Sequence, residues 1–93
     1  MAACDPWKYT NVTGEVFRTL RSLAQKEGFH IPNTPSGEFS IRKGGMSLNF
    51  HYSWNQNSGS LSLTCLKKPS LIGCPMVKGI ADQILRQSGG RPA

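Results

Sequence analysis

The sequence is short of the residues from which most active sites are made. Its 93 residues hold only five carboxylates, Asp5, Glu15, Glu27, Glu38 and Asp82, and none of them forms a local pair. Acid–base work by paired carboxylates needs two groups held together, so that chemistry is not expected. The two histidines, His30 and His51, are isolated, and the three cysteines, Cys4, Cys65 and Cys74, contain no Cys-x-x-Cys pair. Zinc sites draw on about four N, S or O ligands, usually in close sequence pairs. No metal and no other cofactor is expected. The phosphate cradles G-x-x-x-x-G-K-[ST] and G-x-G-x-x-G are both missing, and so is a serine nucleophile elbow.

Two further absences bear on location. No apolar run approaches the about 20 residues that span a bilayer. The opening MAACDPWKYT has neither the basic nor the apolar stretch of a secretory leader. An odd number of cysteines without such a leader argues against a disulfide framework. The expectation is a small bacterial-type protein of the cytoplasm, with no membrane association.

What the chain has is positive charge, with eleven Lys and Arg against five Asp and Glu. That bias favours anionic partners such as nucleic acid or an acidic protein surface. The length suits one domain with one modest core.

Residues 1–11 read as an irregular N-terminal arm, with Pro6 blocking an early helix and Trp7 set against the edge of the core. Thr13 to Glu27 reads as a helix. Val16, Leu20, Leu23 and Ala24 recur at helical spacing, Phe17 widens the stripe, Thr13 or Asn11 caps the start and Gly28 stops the end. Arg18, Arg21, Ser22 and Gln25 form its polar face. A loop follows over 29–37, with Phe29 and Ile31 tucked under the helix end.

EFSIRK, Glu38 to Lys43, alternates like a strand, and Gly44-Gly45 signals a tight turn. MSLNFHYSW, Met46 to Trp54, alternates strictly. Met46, Leu48, Phe50, Tyr52 and Trp54 share one face, and Ser47, Asn49, His51 and Ser53 share the other. Such a pattern marks an antiparallel strand with one wet side. After the NQNSG turn, Ser60 to Leu66 forms a third strand, with Leu61, Leu63 and Cys65 facing inward.

A second helix starts at Pro75, where a missing N–H costs nothing. Met76, Val77, Ile80, Ile84 and Leu85 make its stripe, and Gly79 is a weak point suited to close packing against the sheet. The helix ends at Ser88-Gly89-Gly90. The fold expected is α+β, a two-layer sandwich in the order α-β-β-β-α. It has a three-stranded antiparallel meander with both helices on one face. The single domain covers 12–88, and 89–93 is a flexible tail. This order resembles in layout that of small bacterial proteins associated with polyhydroxyalkanoate granules, with no motif in common and nothing implied about function.

The stretch SLTCLKKPSLIGCPMVKGIADQIL, Ser62 to Leu85, holds most of the chemistry. Cys65 continues the inward alternation and reads as a small buried hydrophobe. Cys74 stands beside the start of the second helix, where the helix N-terminus and Lys67, Lys68 and Lys78 favour a thiolate. No base or orienting group accompanies it, and it pairs with Cys65 only if the connection folds back. Lys67-Lys68-Pro69 closes the third strand and protects an edge. It also offers an anion corner if Lys67, Lys68 and Lys78 gather at the helix N–H groups.

Arg42, Asn49 and His51 add polar groups on the wet sheet face. The aromatic residues alternate onto the other side, away from where an RNA-stacking sheet would show them. The reading is a non-enzymatic binding or interaction domain, a monomer or weak homodimer. One alternative is a nucleic-acid or anion binder working through Lys67, Lys68 and Lys78. Another is a thiol-based redox protein using Cys74.

Overall fold

The computed structural model describes residues 3–43 and 45–92. They form a small α+β domain of seven elements: β1 (Trp7–Thr10), α1 (Gly14–Lys26), β2 (Ser36–Lys43), β3 (Met46–Asn55), β4 (Ser60–Lys67), α2 (Cys74–Ser88) and β5 (Arg91–Pro92). The strands make one antiparallel sheet in the order β2-β3-β4-β1-β5. Among the described residues, no helix is long and apolar enough to cross a membrane.

The sheet has five strands where alternation alone suggests three. The supposed arm contains β1, which pairs Trp7 with Leu63 and Tyr9 with Leu61. The tail supplies β5, which pairs Arg91 with Thr10 and Pro92 with Tyr9. Both are too short to show a period of their own. Trp-Lys-Tyr-Thr completes only two in–out cycles, and a two-residue strand completes one. The leading residues are tied in as well, with Ala3 N donating to the Cys65 carbonyl at 2.8 Å. Met1, Ala2, Gly44 and Ala93, which fall in the arm, the Gly-Gly turn and the tail, lie outside the described residues.

Helix α1 follows its sequence signals. The Thr13 hydroxyl accepts from Val16 N at 3.3 Å, and Gly28 stops the helix with φ +91°. Phe17, Leu20 and Ala24 are its buried residues. Phe17 stacks on Trp54 with ring centroids 4.2 Å apart and planes 7° from parallel. It also tilts against Tyr52 at 5.9 Å. Aromatic contacts of this kind add about 0.5–1.5 kcal/mol beyond area burial. Trp54 finds its polar partner in the Val12 carbonyl, 2.7 Å from Nε1. The Tyr52 hydroxyl is held by the Pro32 and Thr34 carbonyls at 2.9 and 2.8 Å, which fastens the 29–35 loop.

Helix α2 lies over the same sheet face, and its Leu85 and Ala81 border the core space lined by Phe17, Phe50 and Leu63. Its buried set is Val77, Ala81, Leu85 and Ser88. Met76 and Ile80, expected in the stripe, are 62 % and 39 % exposed. The helix is rotated so that the small Ala81 packs inward. Gly79 faces open space, with nothing within 4 Å of where a Cβ would stand, so it serves no close packing. Gly89 ends the helix with φ +108°, a conformation that favours glycine, and a Cβ there would come 3.1 Å from Val16 Cγ2, which would have to shift by a few tenths of an ångström.

Cys4 and Cys74 form a disulfide, with Cα atoms 5.8 Å apart and a sequence separation of 70. Cys65 is the free cysteine, and it is buried. Cys74 is therefore neither a free thiol nor a partner of Cys65. The signal was hidden because β1 carries Cys4 alongside β4, a long-range pairing that local spacing does not record. A bridge closing a loop of this size stabilises by about 4 kcal/mol in the chain-entropy account. Thiol titration of the oxidised protein is expected to detect no reactive group when native and one, Cys65, after denaturation. Reductant is expected to lower the urea midpoint of the wild type and leave Cys4→Ser/Cys74→Ser unchanged.

Candidate functional site

Strand pairing sorts the side chains of the sheet onto two faces, since residues directly opposite each other point the same way. One face is apolar, and its Phe39, Phe50, Leu61 and Leu63 line a core space together with side chains of α1 and α2. The other is open, and its rows can be read from the register. Glu38, His51 and Thr64 form one row across β2, β3 and β4. Ser40, Asn49 and Lys67 form the next, followed by Arg42 with Ser47. On the other side of His51, Ser36, Ser53, Ser62 and Lys8 run across β2, β3, β4 and β1. Thr10 and Arg91 complete the far edge.

The open face thus gathers four cations, Lys8, Arg42, Lys67 and Arg91, all exposed. Its one carboxylate is Glu38. Between the charges lie small donors and acceptors from Ser, Thr, Asn and His side chains. Ser40 Oγ donates to Asn49 Oδ1 at 2.8 Å, which fixes one of them. A shallow depression of about 290 Å³ opens among Lys8, Thr10, Ser53, Asn55 and Ser62. A register shift beside Asn49 and Phe50 marks a bulge in β4. That bulge sets Lys67 opposite Asn49 and so onto the open face. Bulges commonly re-aim a side chain in this way.

The candidate residues do not all meet. Arg42, Asn49, His51 and Lys67 share the open face. Lys68 is half-buried at the end of β4, close enough to Cys65 for its charge to act on that thiol. Burial nonetheless pushes the Cys65 thiol up, outweighing the Lys68 charge. Lys78 is on the opposite side of the sheet. Its Nζ pairs with Asp82 at 2.8 Å, and Asp82 in turn accepts from the buried Tyr9 hydroxyl at 2.8 Å. The lysine corner is therefore divided. The bulge in β4 sends Lys67 outward, and α2 keeps Lys78 on the helix side.

Lys8 and Arg91 are the residues that sequence reasoning missed. The in–out order of Trp7, Lys8, Tyr9 and Thr10 was the available signal. Arg18 and Arg21 lie on α1, away from this face. Arg21 Nε is engaged with the Ile31 carbonyl at 3.0 Å, which gives that side chain a structural duty.

The row Glu38–His51–Thr64 contains the residue types of a proton relay. No hydrogen bond joins them among the described residues, and Glu38 and His51 are both exposed. The described residues also contain no group of three or more His, Cys, Asp or Glu placed to hold a metal ion. No protein-family model, curated protein or solved structure matches this chain.

The Tyr9–Asp82–Lys78 group carries a pH signature. Burial pushes the Asp82 carboxyl up, but the hydrogen bonds from Lys78 and Tyr9 and the charges of Lys78 and Arg86 together hold it below its ordinary value of 3.8. A depressed carboxyl stabilises the fold above the unfolded value, and that contribution is lost as the pH falls below about 3.8. Tyr9 is shifted the other way, raised first by burial and then by its bond to Asp82 and that group's negative charge. Its contribution is full below the ordinary value of 10.0 and declines as the pH rises beyond it. Denaturation midpoints measured against pH are expected to fall at both ends. Asp82→Asn is expected to flatten the acid limb, and Tyr9→Phe the alkaline one.

Proposed function

We propose that this chain is a non-enzymatic binding domain that receives the phosphate backbone of a nucleic acid on the open face of its sheet. The observation that carries the reading is the gathering of Lys8, Arg42, Lys67 and Arg91 on one exposed surface with a single carboxylate. Phosphate contacts come from Lys and Arg together with Ser, Thr and Asn donors, and those are the types this face presents. A protein partner of comparable size would be expected to find an aromatic or large apolar anchor there. The open face offers no aromatic anchor, because Phe50, Tyr52 and Trp54 all turn to the helix side.

The same lack of aromatics disfavours stacking on unpaired bases. Duplex is therefore the favoured form, bound with little regard to sequence. The reading takes the domain as a two-layer sandwich, with one layer of helices and a sheet whose far side is left for the ligand. Cys74 has no part in it. A cytoplasmic setting would keep the Cys4–Cys74 bridge reduced, whereas an oxidising one closes it. Strand pairing builds the open face in either case.

Fluorescence anisotropy with a labelled DNA duplex, an RNA duplex and a single strand of each provides the test. Duplex binding is expected to weaken steeply as salt rises, because each neutralised phosphate releases counterions. Lys67→Ala and Arg42→Ala are each expected to lower the log–log salt slope by about one, evenly across sequences. Lys78→Ala, on the other side of the sheet, is expected to leave the slope as it was. No binding at low salt, or equal losses from Lys78→Ala and Lys67→Ala, would overturn the reading.

A further inference from the structure

The sheet ends on one side at β2, a full eight residues long, SGEFSIRK. Trp54 N donates to the Pro35 carbonyl at 2.7 Å, so residues 35 and 54 face each other as a hydrogen-bonded pair. In an antiparallel ladder such pairs alternate. Gly37, Phe39 and Ile41 therefore point their backbone groups at β3, and Glu38, Ser40 and Arg42 point theirs away from the sheet. Among the described residues nothing bonds to those outward groups, although Thr34 Oγ1 reaches the Ser36 carbonyl at 2.7 Å. The segment Glu38–Arg42 is an unprotected edge, without proline or bulge, of the kind that takes up another strand.

From this edge we infer that two copies of the chain join β2 to β2, antiparallel about a two-fold axis through Ser40. The charge pattern selects both the occupant and the register. Of the registers that bond the outward groups of two such edges, only this one sets Glu38 opposite Arg42, and symmetry makes the pair twice. An axis through Glu38 or through Arg42 would oppose like charges, which destabilises a sheet pair. On the helix side the same register brings Phe39 against Ile41 of the second copy. Both are only half-buried in the single chain.

Apolar surface continues beside them. An open groove of about 210 Å³ is bordered by Ile41, Met46, Leu48, Ile80 and Ile84. Isologous pairing of this type gives a closed pair and one continuous ten-stranded sheet. The two open faces would then form a single basic surface. Pairing does not depend on what that surface binds. The net charge of +6 on each chain opposes association at long range. The measurement therefore belongs at about 0.15 M salt, where the Debye length of about 8 Å screens distant charges more than contacting ones.

Sedimentation velocity over a wide concentration range is the experiment. The wild type is expected to pass from monomer to dimer. Ser40→Pro removes one outward N–H without touching the β2–β3 ladder, and is expected to stay monomeric with an unchanged far-UV spectrum. Glu38→Arg and Arg42→Glu are each expected to be monomeric alone, through Arg–Arg and Glu–Glu opposition. Mixed together they are expected to form a heterodimer, because each then meets its opposite. A wild type that remains monomeric to its solubility limit overturns the inference. So does a dimer that survives Ser40→Pro, or a mixture of the two charge variants that does not associate.

Discussion

The structure depends on the pairing of β1 with β4. Trp7 and Tyr9 enter the sheet opposite Leu63 and Leu61, and four consequences follow from that placement. Tyr9 comes under α2, where its hydroxyl holds Asp82 and through it Lys78. Cys4 is carried to the start of α2, where it meets Cys74. β1 gives the final residues of the chain an edge to pair with. Its alternation also delivers Lys8 to the open face. A strand of four residues thereby fixes one helix, both chain ends and part of the candidate site. It succeeds because its partner strand is already buried on one side by the aromatic cluster of Phe17, Tyr52 and Trp54.

The two faces of the sheet divide the work of the molecule. On the helix side, Trp54 and Tyr52 have their polar atoms satisfied by the backbone of Val12 and of the 32–34 loop, and Tyr9 has its hydroxyl satisfied by Asp82. No buried side-chain N or O among the described residues lacks a partner. The open side has no such closure. Its small hydroxyls and amides are neutral, its cations stand apart on different strands, and one carboxylate is not enough to cancel them. The period of two that buries Phe50 and Tyr52 is the same period that exposes Asn49 and His51. Core and candidate site thus arise from one pattern.

Much of this was legible in the chain. α1, β3, β4 and the Pro75 start of α2 announce themselves through periodicity and caps, and the inward Cys65 follows from the alternation of Leu61 and Leu63. Arg42, Asn49 and His51 were placed on the wet side by the same reasoning, whereas Lys67 reaches it only through the bulge in β4, which alternation does not foresee. What was not legible depends on long-range pairing. β1 and β5 are too short to carry a period, so Lys8 and Arg91 went unnoticed. The Cys4–Cys74 bridge exists because the pairing of β1 with β4 brings the segment before β1 to the start of α2. The turn of α2 about its own axis, which exposes Met76 and buries Ala81, is decided by how closely the helix approaches the sheet. Lys78 looked like part of a lysine cluster only while sequence distance stood in for spatial distance.

The measurement that bears most directly on the account is a titration of the isotope-labelled protein with a short DNA duplex, followed by amide chemical shifts at low salt. The account predicts shifts concentrated at Lys8, Arg42, Asn49, His51, Thr64, Lys67 and Arg91, with α1 and the exposed side of α2 unchanged. Shifts centred on Arg18, Arg21 and His30, or on Leu71, Met76 and Ile80, would contradict it and move the binding surface to the helix side.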